Sequence, residues 1–310
     1  MSPLRILSHL PADRLARVAR EMPDVEVIPI PSEGDIPPGA SGEVLVTFTW
    51  GAANMAQALG RGVRWIHVIG TGVDRFPFAL VGGRVLTCAR GASAVPIAEW
   101  VLAMLLAFEK GLPGTWIDGP SRWRRMELGG LQGRTLGLLG LGGIGAAVAV
   151  RALPFGMMVR AVRRSSAPSP IAGVELTTDR NALLATADHL VLALPSTPET
   201  RHVIDRAALA HVKHGVHLVN VARGTLVDQE ALRAALDDGR VACASLDTCD
   251  PEPLPEGHWL YTHPRVRLSP HVSWSMPGAL DVFVDLLLDN LRRYQAGETL
   301  TGIVDVQSGY

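Results

Sequence analysis

The chain has 310 residues, of which 47% are hydrophobic, and its 29 Lys and Arg residues nearly balance its 30 Asp and Glu residues. This length is enough for about two domains with ordinary hydrophobic cores, and the balanced charge argues against a nucleic-acid-binding surface. The 3 cysteines show no Cys-x-x-Cys spacing, so neither a disulfide framework nor a metal site is predicted. Because the sequence has no signal-peptide core and no apolar run long enough for a membrane span, we expect a cytoplasmic protein.

The first part of the chain alternates short apolar strands with helical segments. Strands are predicted at residues 4–8, 25–30, 44–49 and 65–68, and helices at residues 12–22 and 55–59. This alternation predicts a parallel sheet covered by helices on both faces. Residues 93–110 follow and are apolar on nearly every side, so we interpret them as a buried hinge helix between two domains.

A glycine-rich turn at residues 140–145 is the clearest motif of the chain. It reads G-x-G-x-x-G and lies between a predicted buried strand at 136–139 and a predicted helix at 146–153. Such glycines permit a tight turn, the approach of a pyrophosphate to the backbone, and close packing of helix on strand, while the helix N-terminus attracts phosphate. A single buried helix across residues 135–150 is the alternative. The predicted dinucleotide-binding residues are Gly140, Gly142, Gly143, Ile144 and Gly145.

The residues after the next predicted strand, 157–162, indicate which dinucleotide binds. An NAD site is expected to carry a carboxylate about 20 residues beyond the glycines, where it binds the ribose 2′-OH. This chain carries Arg163, Arg164 and Ser165 there instead. Guanidinium groups and hydroxyls suit a 2′-phosphate, so NADP(H) is the predicted coenzyme, with NAD(H) as second choice. Solvated loop arginines are the alternative interpretation.

The rest of the chain completes this second sheet. Strands are predicted at residues 189–193, 216–221, 241–246 and 265–268, with a helix at 229–236. A last helix is predicted at 277–294, started by Ser275 and Pro277 and ended by Gly297. We expect it to return to the first domain, because the nucleotide-binding sheet is complete without it. The predicted domains are a substrate domain of residues 1–93 and 276–310 and a dinucleotide-binding domain of residues 94–275.

Three polar residues stand just past predicted strands of the second domain. They are Arg223, Glu252 and His271. Ligands of an open parallel sheet bind at the carboxyl ends of its strands. Each residue alone could be structural or a surface charge. A guanidinium, a carboxylate and an imidazole beside a nicotinamide site, however, are the groups needed to reduce a 2-oxo acid.

Together these motifs resemble the D-isomer-specific 2-hydroxyacid dehydrogenases, the family of D-glycerate, glyoxylate/hydroxypyruvate and D-lactate dehydrogenases. The resemblance implies two Rossmann-like doubly wound α/β domains with parallel sheets, an active site in a cleft, and NAD(P)H-dependent reduction of a 2-oxo acid to a D-2-hydroxy acid. A two-fold homodimer is expected with it. The matching segments are WIHVIGTGVD at 65–74, Ala-Glu at 98–99, the glycine motif at 137–145, LPSTPETR at 194–201, and residues 220–224, 246–253 and 270–271.

The resemblance also implies a role for individual residues. Arg223 would bind the substrate carboxylate and polarise the carbonyl, and His271 would exchange a proton with the carbonyl oxygen. Glu252 would pair with the imidazole. Further substrate contacts are assigned to the backbone of Gly70, Thr71 and Gly72 and to Trp274. Further coenzyme contacts are assigned to Pro195, Thr200, Val221, Ala222, Arg223, Asp247 and His271.

Some of these assignments have alternatives. Asp247 would lie near the nicotinamide carboxamide, or it could be a capping residue. Trp274 stands where many family members carry a small residue, and it could wall the nicotinamide side, narrow the substrate pocket or pack between domains. Trp50 and Arg90 lie in loops that could contact the substrate.

Two other functions are compatible with this fold, because a fold does not determine a function. One is a nucleotide-sensing regulatory protein of the transcriptional corepressor type. The other is oxidation of a small anion such as phosphite or formate. A formate enzyme would be expected to carry glutamine at the position of Glu252.

Overall fold

Alternating strands and helices build two separate parallel sheets in the computed structural model, which describes residues 3–164 and 167–310. The chain divides into two compact units. Unit 1 comprises Met1–Ser93 and Met276–Tyr310, and unit 2 comprises Ala94–Ser275. Among the described residues, no helix combines the length and the apolar character that a bilayer-spanning segment requires.

Unit 1 begins with five strands and two helices. They are β1 (Leu4–Ser8), α1 (Ala16–Glu21), β2 (Val25–Pro29), β3 (Val44–Phe48), α2 (Met55–Leu59), β4 (Trp65–Ile69) and β5 (Val85–Cys88). The strands form a 5-stranded sheet in the order β2-β1-β3-β4-β5, and each neighbouring pair is parallel. A short 3-10 helix, Ala12–Leu15, precedes α1, so the helix predicted at 12–22 is present in two pieces.

Helices cover both faces of this sheet. Leu45 of β3 packs in one hydrophobic cluster with Met55 of α2, whereas its neighbour Val46 packs in another with Val18 of α1. This division is expected, because successive side chains of a strand point to opposite faces. The sheet of unit 1 is therefore doubly wound, as predicted.

Unit 2 contains the longer sheet. Its elements are α3 (Ala94–Glu109), β6 (Thr135–Leu139), α4 (Gly143–Ala152), β7 (Met158–Val162), β8 (Val174–Thr177), α5 (Arg180–Thr186), β9 (His189–Leu192), α6 (Arg206–His211), β10 (Val216–Asn220), α7 (Gln229–Asp237), β11 (Val241–Leu246) and β12 (Val266–Leu268). The 7-stranded sheet has the order β12-β11-β10-β9-β6-β7-β8. The chain runs outward from β6 in one direction and from β9 in the other. Ligands of such sheets bind at this reversal.

Helices also cover both faces of the second sheet. One hydrophobic cluster joins α3 and α4 to the sheet, and another joins α5, α6 and α7 to it. α3 lies within unit 2, and its buried residues include Ala98, Val101 and Leu105. Its role as a hinge stays a prediction.

The last helix, α8 (Ala279–Ala296), belongs to unit 1. Its residues Val284, Leu287 and Leu291 pack in the same cluster as α1. The predicted start at Ser275 and Pro277 is wrong, because the Ser275 N–H bonds to the Val272 carbonyl and so closes the preceding turn. The predicted end is confirmed.

Several short elements are absent from the predicted set. They include the strands β5 and β8, which have 4 residues each. α5 and α6 have 7 and 6 residues. Their signal is an aspartate cap, because Asp179 and Asp205 each accept a hydrogen bond from a backbone N–H three residues later.

Candidate active site

The carboxyl ends of neighbouring strands in unit 2 carry the predicted site residues. The parallel registers place the last residues of these strands side by side: Val162, Leu139, Leu192, Asn220, Leu246 and Leu268. Arg163 follows the first of them and Gly140 the second. Arg223 and His271 follow the strands further along. These residues therefore lie along one edge of the sheet, as the strand ends of the sequence predicted.

The glycine-rich turn has the shape that a dinucleotide requires. Gly140 adopts φ 104, and a Cβ there would lie 2.6 Å from the Ala193 carbonyl oxygen. A Cβ at Gly145 would collide with the Gly140 carbonyl, whereas a Cβ at Gly142 would meet nothing within 4 Å. The first and third glycines thus permit close packing, and the second leaves the start of α4 open to a phosphate. The residues present fit a dinucleotide, and the predicted strand-turn-helix is confirmed.

The loop after β7 holds the residues predicted to bind a 2′-phosphate. Val162 pairs with Leu139, so Arg163 stands at the level of Gly140. The Arg163 Nη2 donates to the carbonyls of Ala167 at 2.6 Å and Pro168 at 3.2 Å, which holds the guanidinium over its own loop. Arg164 is exposed. The predicted Ser165 contact lies outside the described residues.

The loop after β9 is closed by Thr200. Its hydroxyl donates to the Pro195 carbonyl at 2.8 Å and accepts from the Thr197 N–H at 2.8 Å. After β10, Val221 and Ala222 are 4% and 8% exposed. The coenzyme contacts assigned to these residues stay predictions.

The loop after β10 is held in place by two residues that the sequence-based interpretation did not single out. The Asn220 side chain donates to the Arg223 carbonyl at 2.8 Å and accepts from the Ala222 N–H at 3.1 Å. Gly224 packs directly on the backbone of Cys249, where a Cβ would collide. The loops after β10 and β11 therefore lie against each other. An asparagine at the end of an apolar strand was the available signal for Asn220.

Glu252 and His271 form a pair. The His271 Nδ1 lies 2.9 Å from the Glu252 Oε2, and the Glu252 Oε1 accepts from the Cys249 N–H at 3.0 Å. The side chains of His271 and Glu252 are 38% and 26% exposed, so a small molecule can reach both. Nδ1 is engaged by the carboxylate, which leaves Nε2 as the ring atom suited to proton exchange.

The electrostatics favour a charged Glu252. Burial acts to raise the pKa of this carboxyl. The hydrogen bonds from His271 and the Cys249 N–H, together with the charges of His271 and Arg223, outweigh burial and hold the pKa below its ordinary value. Arg223 therefore acts on Glu252 electrostatically, as expected for neighbouring strand ends.

Asp247 organises the loop that carries His271. It is 1% exposed, and its two carboxylate oxygens accept from the N–H groups of Val272 and Ser273, each at 2.9 Å. Ser269 Oγ donates to the same carboxylate at 2.5 Å. Asp247 thus holds the backbone of the turn after β12 through these bonds. The predicted contact with the nicotinamide stays a prediction.

In unit 1, the predicted substrate loop follows β4. Gly70 adopts φ 136, its carbonyl accepts from the Ala89 N–H at 2.8 Å, and Thr71 Oγ1 donates to the Ala89 carbonyl at 3.2 Å. Gly72 follows them. Trp50, after the neighbouring strand β3, is 63% exposed and stacks on Phe48 at 5.2 Å. The loop and Trp50 thus lie at the carboxyl edge of the first sheet.

The sequence of unit 2 matches a known protein family. Residues 102–273, more than half of the chain, match the family described as D-isomer specific 2-hydroxyacid dehydrogenase, NAD binding domain. The chain belongs to this family. The resemblance inferred from the motifs is confirmed. This protein is therefore an NAD(P)-dependent oxidoreductase.

Relatives of this 2-hydroxyacid dehydrogenase are similar over most of its length. Glyoxylate/hydroxypyruvate reductase A of Photorhabdus laumondii is 31% identical over 276 residues, which cover 85% of this chain and 87% of that protein. D-3-phosphoglycerate dehydrogenase of Methanocaldococcus jannaschii is 34% identical over 245 residues, or 76% of this chain and 46% of that protein. A D-isomer specific 2-hydroxyacid dehydrogenase from Xanthobacter autotrophicus, solved with NADPH and MES, superposes with a TM-score of 0.87 at 26% identity and covers 100% of both chains.

Proposed function

We propose that this dehydrogenase uses NADPH to reduce a small 2-oxo acid of the glyoxylate or hydroxypyruvate type to the D-2-hydroxy acid. The observation that carries this proposal is the 2.9 Å pair of His271 and Glu252, beside Arg223 and on the same sheet edge as the glycine-rich turn. The relative named glyoxylate/hydroxypyruvate reductase A, 31% identical to this chain, supports the substrate class.

The reaction follows from the chemistry of the three side chains. When bound, the coenzyme supplies the hydride. Arg223 binds the substrate carboxylate with a planar, permanently charged fork. His271 donates the proton on Nε2 to the carbonyl oxygen, and in the reverse direction it removes that proton. Glu252, ionised because its pKa is lowered, fixes the ring orientation through Nδ1 and stabilises the imidazolium.

Unit 1 is proposed as the substrate domain and unit 2 as the dinucleotide-binding domain. In this assignment the backbone N–H groups of Gly70, Thr71 and Gly72 bind the substrate carboxylate, because glycines allow a ligand to approach the backbone closely. Gly72→Ala is expected to raise the KM for the oxo acid while leaving the affinity for NADPH unchanged. A higher dissociation constant for NADPH with an unchanged KM would contradict the assignment.

The preference for NADPH over NADH is assigned to Arg163, with Arg164 in second place. The position of Arg163 beside Gly140 supports it, as does the NADPH in the 26% identical structure from Xanthobacter autotrophicus. Arg163→Ala is expected to weaken NADPH about tenfold and to leave NADH unchanged, as for loss of one charged phosphate contact. Arg160→Ala is the matched control, because Arg160 pairs with Glu175 at 2.6 Å within the sheet. Equal weakening of both coenzymes by Arg163→Ala would remove the assignment.

A homodimer is also proposed, with the connection between α3 and β6, residues 111–133, as its surface. This connection exposes large apolar side chains, including Trp116 at 68% and Trp123 at 82%. Exposed apolar patches mark interaction sites. A two-fold axis is proposed for this dimer, because two-fold dimers are the commonest oligomers.

Sedimentation tests the proposed interface. Trp116→Ser and Trp123→Ser together are expected to turn a dimer into a folded monomer. A monomeric wild type, or a dimer that both substitutions leave intact, would contradict the proposed surface.

Steady-state kinetics over a panel of acids tests the function. Glyoxylate, hydroxypyruvate, pyruvate, a branched 2-oxo acid and phenylpyruvate are each supplied with NADPH or NADH, and phosphite and formate with the oxidised coenzymes. The proposal expects the highest kcat/KM with NADPH and a small 2-oxo acid. Turnover of phosphite or formate alone would replace it with small-anion oxidation, and NADPH binding without any turnover would favour the nucleotide-sensing alternative.

A further inference from the structure

The turn that carries His271 has an unusual backbone. His271 adopts φ 54, the left-handed region that residues other than glycine rarely enter. Such a conformation persists only where surrounding contacts hold it. The contacts that hold His271 therefore also determine where its imidazole points.

Asp247 supplies one half of these contacts. The His271 N–H donates to the Asp247 backbone carbonyl at 2.9 Å, and the next N–H, that of Val272, donates to the Asp247 Oδ1 at 2.9 Å. The peptide planes on both sides of His271 are thus bonded to the same buried residue.

Trp274 supplies the other half. Its indole Nε1 donates to the His271 carbonyl at 2.9 Å. The peptide group between His271 and Val272 is therefore bound at its oxygen by Trp274 and at its N–H by Asp247. The indole ring itself is partly buried against the hydrophobic cluster that joins α3 and α4 to the sheet. The indole N–H of Trp274 is consequently anchored to the core of unit 2.

We propose that Trp274 is a positioning residue for the proton donor. By fixing the peptide plane after His271, the indole N–H fixes the direction of the Cα–Cβ bond. It thereby holds Nδ1 against Glu252 and Nε2 toward the substrate. This inference rests on the proposed function, in which His271 exchanges the proton. It differs from a role as a pocket wall, because a wall needs only the bulk of the ring, whereas positioning needs the N–H.

Trp274→Phe separates the two roles, since phenylalanine keeps an aromatic ring and lacks the N–H. The matched control is Trp259→Phe. The Trp259 Nε1 is buried and has no hydrogen-bond partner among the described residues, so its removal changes no contact of this kind.

Kinetics provide the first readout. Trp274→Phe is expected to lower kcat about tenfold, to raise the solvent deuterium isotope effect on kcat, and to leave the melting temperature and the dissociation constant of NADPH unchanged. Trp259→Phe is expected to leave kcat unchanged. The proposal is overturned if kcat of Trp274→Phe stays within about twofold of wild type, or if kcat falls only together with coenzyme binding and thermal stability.

Nitrogen NMR of the imidazoles gives a readout that needs neither turnover nor coenzyme. The ring nitrogen shifts of His271, assigned by their loss in His271→Ala, report which nitrogen carries the proton. In the wild type we expect the neutral ring to hold its proton on Nδ1, facing Glu252. In Trp274→Phe we expect a mixture of both tautomers. Identical His271 spectra in the two proteins would overturn the positioning role, whatever the outcome of the substrate panel.

Discussion

Two glutamate–histidine pairs among the described residues of unit 2 have the same composition but opposite surroundings. The proposed catalytic pair, Glu252 and His271, is separated by 2.9 Å with side chains 26% and 38% exposed. The buried pair, Glu109 and His189, is separated by 3.1 Å with side chains 5% and 0% exposed. A short carboxylate–imidazole distance is therefore not enough to indicate chemistry. Exposure and the neighbouring charges decide what such a pair can do.

The pKa directions follow the surroundings. Burial raises the pKa of Glu109 despite the nearby charge of Arg134, whereas hydrogen bonds and Arg223 hold the pKa of Glu252 low against its burial. Burial also lowers the pKa of His189 to about 4. The surroundings of the buried pair thus disfavour the charged form of both groups, whereas those of the proposed catalytic pair favour a charged carboxylate.

The buried pair continues across the sheet as a polar chain. The His189 Nδ1 lies 3.3 Å from the His217 Nδ1, and the His217 Nε2 lies 2.9 Å from Ser245 Oγ. Phe108 stacks on His217 at 4.6 Å. These contacts link α3 to β9, β10 and β11. We interpret the chain as a structural tie rather than a second reactive site.

Substitution of the arginine beside each pair should give the largest difference in kcat/KM. Arg223→Gln is expected to lower kcat/KM for the oxo acid by about 10³-fold, because the site then lacks a charged partner for the substrate carboxylate. Arg134, 3.7 Å from Glu109, is the matched position, and Arg134→Gln should leave kcat/KM within about twofold. Equal losses in the two variants, measured by steady-state kinetics, would contradict the assignment of the substrate carboxylate to Arg223.

Acid should destabilise the protein through His189 of the buried pair. The folded-state pKa of His189, about 4, is below its ordinary value of 6.5, so the unfolded chain binds more protons between these values. Stability is therefore lost as pH falls from about 6.5 to about 4, by up to ~3 kcal/mol from this residue. Urea unfolding should show a smaller acid loss in His189→Gln than in the wild type. If the free energy of unfolding fell equally with acid in both proteins, the acid loss could not be assigned to His189.

Replacing each glutamate by glutamine should lower kcat at one pair and leave it unchanged at the other. Glu252→Gln is expected to lower kcat by about thirtyfold, since the imidazolium loses its charged partner. Glu109→Gln should leave kcat unchanged and alter the free energy of unfolding at neutral pH by less than about 1 kcal/mol, because burial already disfavours the charged form there. If Glu109→Gln abolished activity, the separation of the two pairs would be wrong.

The serines at the margins of the pairs should give the smallest effects. Ser269→Ala removes a hydroxyl bound to Asp247 and should lower kcat about threefold by loosening the His271 turn. Ser245→Ala removes the His217 partner and should lower the free energy of unfolding by about 1 kcal/mol without changing kcat. A loss of kcat in Ser245→Ala together with an unchanged kcat in Ser269→Ala would contradict the roles assigned to the two pairs.

The proximity of Glu252 and His271, the proposed catalytic pair, was predictable from the sequence, whereas that of Glu109 and His189 was not. His271 and Glu252 follow strands in loops, and parallel sheets bring such strand ends together. His189 and His217 lie inside apolar strands, with no local mark that they are neighbours across the sheet or face Glu109. Their alignment depends on the strand register, which the sequence does not reveal.

The same limit applies to finer features. The glycine-rich turn was predictable because its local backbone requirements are strict. The bond from Trp274 to the His271 carbonyl depends on a left-handed turn that no local pattern marks. The loop contacts of Asn220 and Gly224 arise only when the ends of β10 and β11 meet. Features set by neighbouring residues in the sequence could therefore be predicted, whereas contacts that form only when distant segments pack together could not.

The most direct test is the rate of NADPH oxidation with glyoxylate and hydroxypyruvate, measured for the wild type and for His271→Ala and His189→Ala at equal NADPH occupancy. We predict that His271→Ala loses about 10²–10⁴-fold in kcat while binding NADPH normally, and that His189→Ala, once folded, retains the wild-type rate. Undiminished turnover in His271→Ala, or loss of turnover in folded His189→Ala alone, would contradict it.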